Sequence, residues 1–216
     1  MLFDMDGTLV ASDAVWDRAL TELAAAHGGQ LSADFFVQIV GLATVEAIAI
    51  AHEALGLSGD QLLERDLQWL HDRVLDLFDE TRPPWFDGAR DLVSAVRAAG
   101  LGTGLVTSSG REHVNAALAE TDRHRFDVIV CGDDVAAPKP SPEPYLSAAA
   151  ALGVDPAECA VVEDSAIGVA SALAAGCRVV GVTPVTSDCV TVGGIAEVDL
   201  DLLRSLQHGR PSTIQG

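Results

Sequence analysis

Four short segments hold the side chains able to work on a charged oxygen. Asp4-Met5-Asp6-Gly7-Thr8 sets two carboxylates two residues apart, and Thr107-Ser108-Ser109-Gly110 offers hydroxyls and amides. Lys139 stands between two prolines, and Glu163-Asp164-Ser165 carries a second pair of carboxylates. Carboxylates cannot be buried together as charges unless a cation joins them. Asp4 and Asp6 with Glu163 and Asp164 therefore imply a shared hard divalent ion, for which Mg²⁺ is the natural candidate. Such an ion keeps waters and takes a phosphate oxygen. Thr107 and the amides that follow it, near a helix start, would donate to that phosphate, and Lys139 would balance its charge. Each segment alone also reads as a turn, a helix cap or a surface charge. Their combination does not, because Lys139 is the one lysine beside 12 arginines and sits in Pro138-Lys139-Pro140 rather than on a helix face.

To meet, these segments must lie at one edge of a sheet. Ligands of parallel α/β sheets bind outside the carboxyl ends of the strands, and each segment follows a β-type run: Leu2-Phe3, then residues 101–106, 128–131 and 160–162, with a further strand at 178–182. Helical stretches at 87–99, 111–120 and 166–175 alternate with them, and Ser141-Pro142 is read as the N-cap and first position of another helix running to about Leu152. This is the pattern of an α/β Rossmann-like parallel sheet with helices on both faces. Residues 12–80 have helical period throughout, at 14–26, 44–55 and 61–78. They predict a small all-helical domain inserted into a core formed by residues 1–11 and 81–216. The expected hinges are residues 9–13 and 80–85, and the polar tail after Leu206 is expected to fray.

The 216 residues carry 13 Lys+Arg against 32 Asp+Glu, a net charge of −19, without a basic run. That disfavours nucleic-acid and anionic-membrane partners, which are held by clustered cations. Mean hydropathy is +0.27, yet no apolar run approaches the ~18 residues of a membrane span. Neither a basic leader followed by an apolar stretch nor a CxxC pair is visible, so a cytoplasmic chain with reduced, packing cysteines is expected. A monomer is the simplest expectation.

The same segments resemble the haloacid dehalogenase-like phosphohydrolase superfamily. Asp4-Met5-Asp6-Gly7-Thr8-Leu9 is similar to its DxDGTL pattern, Leu105-Val106-Thr107-Ser108-Ser109 to its second motif, Lys139-Pro140-Ser141-Pro142-Glu143-Pro144-Tyr145 to its lysine motif, and Val161 to Gly168 to its acidic fourth motif. The helical insert is similar to the family's alpha-helical cap. The resemblance implies that Asp4 attacks phosphorus to form an aspartyl-phosphate and that Asp6 acts as general acid and base. It places Mg²⁺ on Asp4, the Asp6 carbonyl and Asp164, with Glu163 near or in the shell, and the phosphoryl group on Thr107, the Ser108 amide and Lys139.

Two departures stand out: Ala11 precedes Ser12 where family members often carry Asp, and the first strand is short for its central place, from which residues upstream of Met1 are expected. Within the family, Asp6 argues against halide chemistry, and the absence of lysine from residues 12–80 argues against phosphonatases. A phosphomutase resembling beta-phosphoglucomutase must clamp a second phosphate, and here Trp16 and Thr44 occupy the positions of its cap histidine and arginine. The reading is a phosphatase for a small phosphorylated metabolite, a sugar or polyol phosphate. The phosphomutase is the alternative, and a catalytically silent binding module is the alternative of another class. Trp16 is read as either a sugar-stacking or a core residue, Arg18 and Arg111 as surface residues, Asp133 and Asp134 as groups orienting Lys139, and the six histidines as helix or loop residues.

Overall fold

In the computed structural model, which describes residues 1–186 and 188–206, the sheet is six-stranded and wholly parallel in the order β3-β2-β1-β4-β5-β6. The strands are β1 (Leu2–Phe3), β2 (Gly104–Val106), β3 (Val128–Val130), β4 (Ala160–Glu163), β5 (Arg178–Gly181) and β6 (Val190–Thr191). Alternation within these short runs builds two apolar faces. Phe3, Leu105, Val162 and Val180 point to one cluster, and Leu2, Val106, Val161 and Val179 to the other. Helices α8 (Glu143–Leu152) and α9 (Ala166–Ala174) cover the second face through Ala148, Ala149 and Ala172. Helices α5 (Ala89–Ala98) and α6 (Arg111–Ala117) cover the first through Leu92, Val93, Val96 and Val114.

Between β1 and α5 run four helices, α1 (Asp13–Ala26), α2 (Ala33–Ile39), α3 (Thr44–Leu55) and α4 (Asp60–Glu80). The segments leading into and out of them lie side by side. The Ala11 amide donates to the Pro84 carbonyl and the Phe86 amide to that of Leu9, each at 2.9 Å.

Several boundaries differ from the sequence reading. Residues 101–103 stay outside β2, because Thr103 spends its amide on the Asp127 carboxylate. Helix α6 stops at Ala117, where Arg123 takes the Leu118 and Asn115 carbonyls, and the chain restarts as α7 (Glu120–Arg123). Helix α8 begins at Glu143 with Pro142 as its N-cap, while Ser141 Oγ accepts the Glu143 amide. Helices α2 and α10 (Leu200–Ser205) and strand β6 were not foreseen, being too short to establish a period. The tail after Leu206 lies outside the described residues.

The histidines are more organised than helix decoration. His27 Nε2 and His52 Nε2 both meet Asp66 Oδ2, at 2.7 and 2.9 Å, tying α3 and the end of α1 to α4. Burial works to raise the Asp66 carboxyl, but the hydrogen bonds from His27, His52 and Arg65 outweigh it and hold the group below the usual carboxylate range. Stability from a depressed carboxyl is present above its unfolded value near 4 and is lost as pH falls through the folded value. Asp66→Ala is expected to destabilise the protein by about 2–4 kcal/mol at neutral pH, read as a shift in urea midpoint. The difference from wild type should shrink below about pH 4.

Candidate active site

At the carboxyl edge of the sheet, Lys139 is 2% exposed and makes three contacts. Its Nζ donates to Asp4 Oδ1 at 2.8 Å, Glu163 Oε1 at 2.6 Å and the Val106 carbonyl at 3.1 Å. The loop that delivers it is pinned from both ends. Glu143 accepts the amides of Ala136 and Ala137, and Ser171 donates to the Ser141 carbonyl. Burial works to lower the lysine, yet Asp4 and Glu163 override it and keep the ammonium charged well above neutral pH.

Glu163, fully buried, uses both oxygens. Oε1 accepts from Lys139 and from the Tyr145 hydroxyl, and Oε2 from Ser165 Oγ and the amides of Asp164 and Ser165. It fits only because α9 offers a glycine, since a Cβ on Gly168 would stand 1.7 Å from Glu163 Oε1. Gly7 works similarly for Asp164: its φ of +75° favours glycine, and a Cβ there would lie 2.2 Å from Asp164 Oδ2.

Asp4, Glu163 and Asp164 bring one oxygen each within 4.8 Å of one another. Burial, together with Glu163, Asp164 and Asp6, raises the Asp4 carboxyl well above its usual range against the pull of Lys139. Asp164 is pushed up to about 7 by burial and by Glu163, while a hydrogen bond from Thr8 opposes the rise. Three carboxylates against one ammonium leave two negative charges, which is the charge of one divalent cation, and every donor is a hard oxygen. The residues fit Mg²⁺. Of these three carboxylates Glu163 is saturated, and Asp4 and Asp164 line the cavity.

Asp6 stands beside this cluster. Its Oδ1 accepts from Ser12 Oγ at 2.5 Å, and its Oδ2 from Thr107 Oγ1 at 3.0 Å and Ser109 Oγ at 2.8 Å. Thr107 thus touches Asp6, while Ser108 Oγ donates to the Gly41 carbonyl in the loop before α3. Asp4, Asp6, Thr107, Ser108, Asp164 and Ser165 line one cavity of about 340 Å³, roofed by α1–α4. Ser12, Ser109, Tyr145 and Gly168 escaped the sequence reading as site residues, since their contacts with Asp6 and Glu163 are set by how the loops and elements pack. Trp16 lines the cavity and sets its ring edge-on to His113, centroids 5.1 Å apart. Arg18 lies at the surface, paired with Glu22 and Glu80.

The reading of Asp133 and Asp134 as groups orienting Lys139 is corrected. Asp133 accepts the Arg111 amide, and Asp134 pairs with the Arg111 guanidinium and the Cys131 amide, so both fasten the start of α6 instead.

A family model described as haloacid dehalogenase-like hydrolase matches residues 1–176. The chain belongs to this family. It is 34% identical over 188 residues to Protein CbbY of Rhodobacter capsulatus, covering 83% of each chain. It is 32% identical over 182 residues to hexitol phosphatase B of Escherichia coli K12, covering 82% of this chain and 80% of the relative. Among solved structures, beta-phosphoglucomutase from Clostridium difficile superposes with a TM-score of 0.84 over 95% of each chain; at 20% identity this shows the shared fold. As a haloacid dehalogenase-like hydrolase with named phosphatases among its relatives, the protein is a phosphohydrolase. Among the described residues no helix is long and apolar enough to cross a membrane.

The raised Asp164 carboxyl carries a pH signature. A carboxyl whose folded pKa lies above the unfolded value is least costly below about 4 and destabilises progressively as pH rises toward 7. In EDTA, Tm is expected to fall between about pH 5 and 7.5. Adding Mg²⁺ should raise Tm most at the upper end of that range, as scanning calorimetry would show.

Proposed function

We propose that the protein is an Mg²⁺-dependent phosphatase that hydrolyses a small sugar or polyol monophosphate through an aspartyl-phosphate on Asp4. The observation that carries this reading is the buried Asp4 carboxylate, fixed through one oxygen by Lys139 at the floor of a cavity wide enough for a sugar. Held in this way, Asp4 directs its other oxygen at an incoming phosphorus. Thr107 and Ser108 line the cavity and hold the phosphoryl oxygens, the latter through its amide, and Lys139 reaches one only by trading away its contact with the Val106 carbonyl. Asp4 and Asp164, with the carbonyl of Asp6, would hold the Mg²⁺. When bound, the ion neutralises charge on the transferring group.

Asp6 exchanges a hydroxyl contact for the leaving oxygen, protonates it, and then takes a proton from the water that hydrolyses the acyl phosphate. Residues 12–80 act as the cap that selects the alcohol. The likeness to hexitol phosphatase B supports the substrate class. The cavity wall disfavours the mutase, because among the described residues no Lys, Arg or His lines it to clamp a second phosphate.

Phosphate release from p-nitrophenyl phosphate and from a panel of hexose and hexitol phosphates tests the reading. Activity should require Mg²⁺, and Asp4→Asn should lower kcat at least about 1,000-fold. Rapid quench followed by mass spectrometry should find phosphate on the peptide containing Asp4. Isomerised hexose phosphate in place of free phosphate would overturn the proposal.

A further inference from the structure

Three hydroxyls hold the carboxylate that has to move a proton. Ser12 donates to Asp6 Oδ1, and Thr107 and Ser109 both donate to Asp6 Oδ2. Two of the three have a second duty. Thr107 carries a single hydroxyl proton, which can go to Asp6 or to a phosphoryl oxygen but not to both. Once an ester enters and Thr107 turns to the phosphoryl group, Oδ2 loses that contact. Ser12 stands at the start of α1, where the chain leaves the sheet for the helices above it, so its hold on Oδ1 follows the placement of those helices.

Ser109 has neither duty. Among the described residues its Oγ makes one hydrogen bond, 2.8 Å to Asp6 Oδ2, and α6, which starts at Arg111, takes no side-chain cap from it. The hydroxyl is presented from a fixed backbone. Ser109 is 5% exposed; its amide donates to Thr107 Oγ1 at 3.0 Å, and its carbonyl accepts the Gly132 amide at 2.9 Å. A Cβ on Gly132 would stand 2.2 Å from the Ser108 carbonyl oxygen, so the loops that follow β2 and β3 lie in direct contact. Alanine in place of Ser109 keeps these backbone contacts and removes only the hydroxyl.

We propose that Ser109 is the positioning residue for the proton transfers of Asp6, its hydroxyl remaining on Oδ2 after Thr107 has turned to the phosphoryl group. This rests on the phosphatase reading and deepens it. With the proton carried on Oδ1, Oδ2 accepts from Ser109 in both protonation states of the carboxyl, so the carboxyl plane keeps its orientation through the reaction. As the Asp4 oxygen bonds to phosphorus and the ester P–O bond breaks, the leaving oxygen takes the bonding electrons and the proton from Asp6 Oδ1. The Asp6 carboxylate then takes a proton from the water that attacks the acyl phosphate. Ser109 donates throughout and exchanges no proton of its own.

The test compares the full chain with Ser109→Ala, both with Mg²⁺. The substrates are p-nitrophenyl phosphate, whose leaving group departs without a proton, and phenyl phosphate, whose leaving group needs one. In the variant the ratio of kcat/KM for p-nitrophenyl phosphate to that for phenyl phosphate is expected to rise at least about tenfold, because general-acid help is withdrawn from the ester that depends on it. With p-nitrophenyl phosphate the variant should also release a burst of about one nitrophenolate per enzyme, then turn over at least about tenfold more slowly than wild type, since the water step still needs Asp6. Ser109→Cys, close in size and with a weaker donor, should fall between the two. A ratio that neither variant moves overturns the proposal, and so do equal losses on both esters, which mark a structural role. Wild-type turnover alongside either result sinks the role of Ser109 alone. No turnover of any ester by the wild type would sink the phosphatase reading beneath it.

Discussion

One buried ammonium holds the catalytic edge together. Lys139 bridges Asp4 at the end of β1 and Glu163 at the end of β4, two neighbouring central strands, and touches the Val106 carbonyl at the end of β2. Stripping solvent from a lysine and two carboxylates costs several kcal/mol per ion, and only close, fully hydrogen-bonded geometry offsets it. The surroundings are built to supply that geometry. Tyr145 donates to Glu163 and lays its ring 5.0 Å from Lys139 Nζ, the start of α9 turns two amides onto Glu163, and Gly168 leaves the room.

The arrangement is deliberately incomplete in charge. Asp164 adds a third carboxylate that the lysine does not neutralise, and burial together with the neighbouring Glu163 raises its pKa. A site in this condition is held short of its own electrostatic minimum by the stability of the sheet beneath it, where Phe3, Leu105, Val162 and Val180 are buried on one side and Leu2, Val106, Val161 and Val179 on the other. On the proposed reading, the surplus negative charge would give a divalent cation its affinity, and the cation would make a phosphate dianion tolerable beside so many acids.

The helices above the site contribute in another way. Part of their charge is settled among themselves, through the Arg18, Arg73, Glu22 and Glu80 network and through Asp66 with its two histidines. They touch the phosphate floor through little more than Ser12 on Asp6 and the Gly41 carbonyl on Ser108. The two layers are joined by the paired segments around Ala11 and Pro84 and by His71 of α4, which meets Glu112 and His113 of α6.

That these polar groups gather at one edge of the sheet could be read from residue order alone. Asp4, Asp6, Thr107 and Asp164 each follow a short apolar run that reads as a strand, Lys139 lies one loop beyond another, and strand ends in a parallel sheet face one crevice. Helices α1, α3 and α4 were legible for the same reason of period, while α2, α10 and β6 were too short to register one. Tertiary structure decided what period and spacing leave open: which partner each polar group takes when several are chemically suitable. Asp133 and Asp134 went to Arg111 rather than Lys139, Glu163 filled both oxygens on Lys139, Tyr145 and the start of α9, and His27 and His52 converged on Asp66 from helices far apart in the chain. Spacing along a chain constrains neighbours on one element, whereas contacts between elements depend on distances that exist only once the layers have packed.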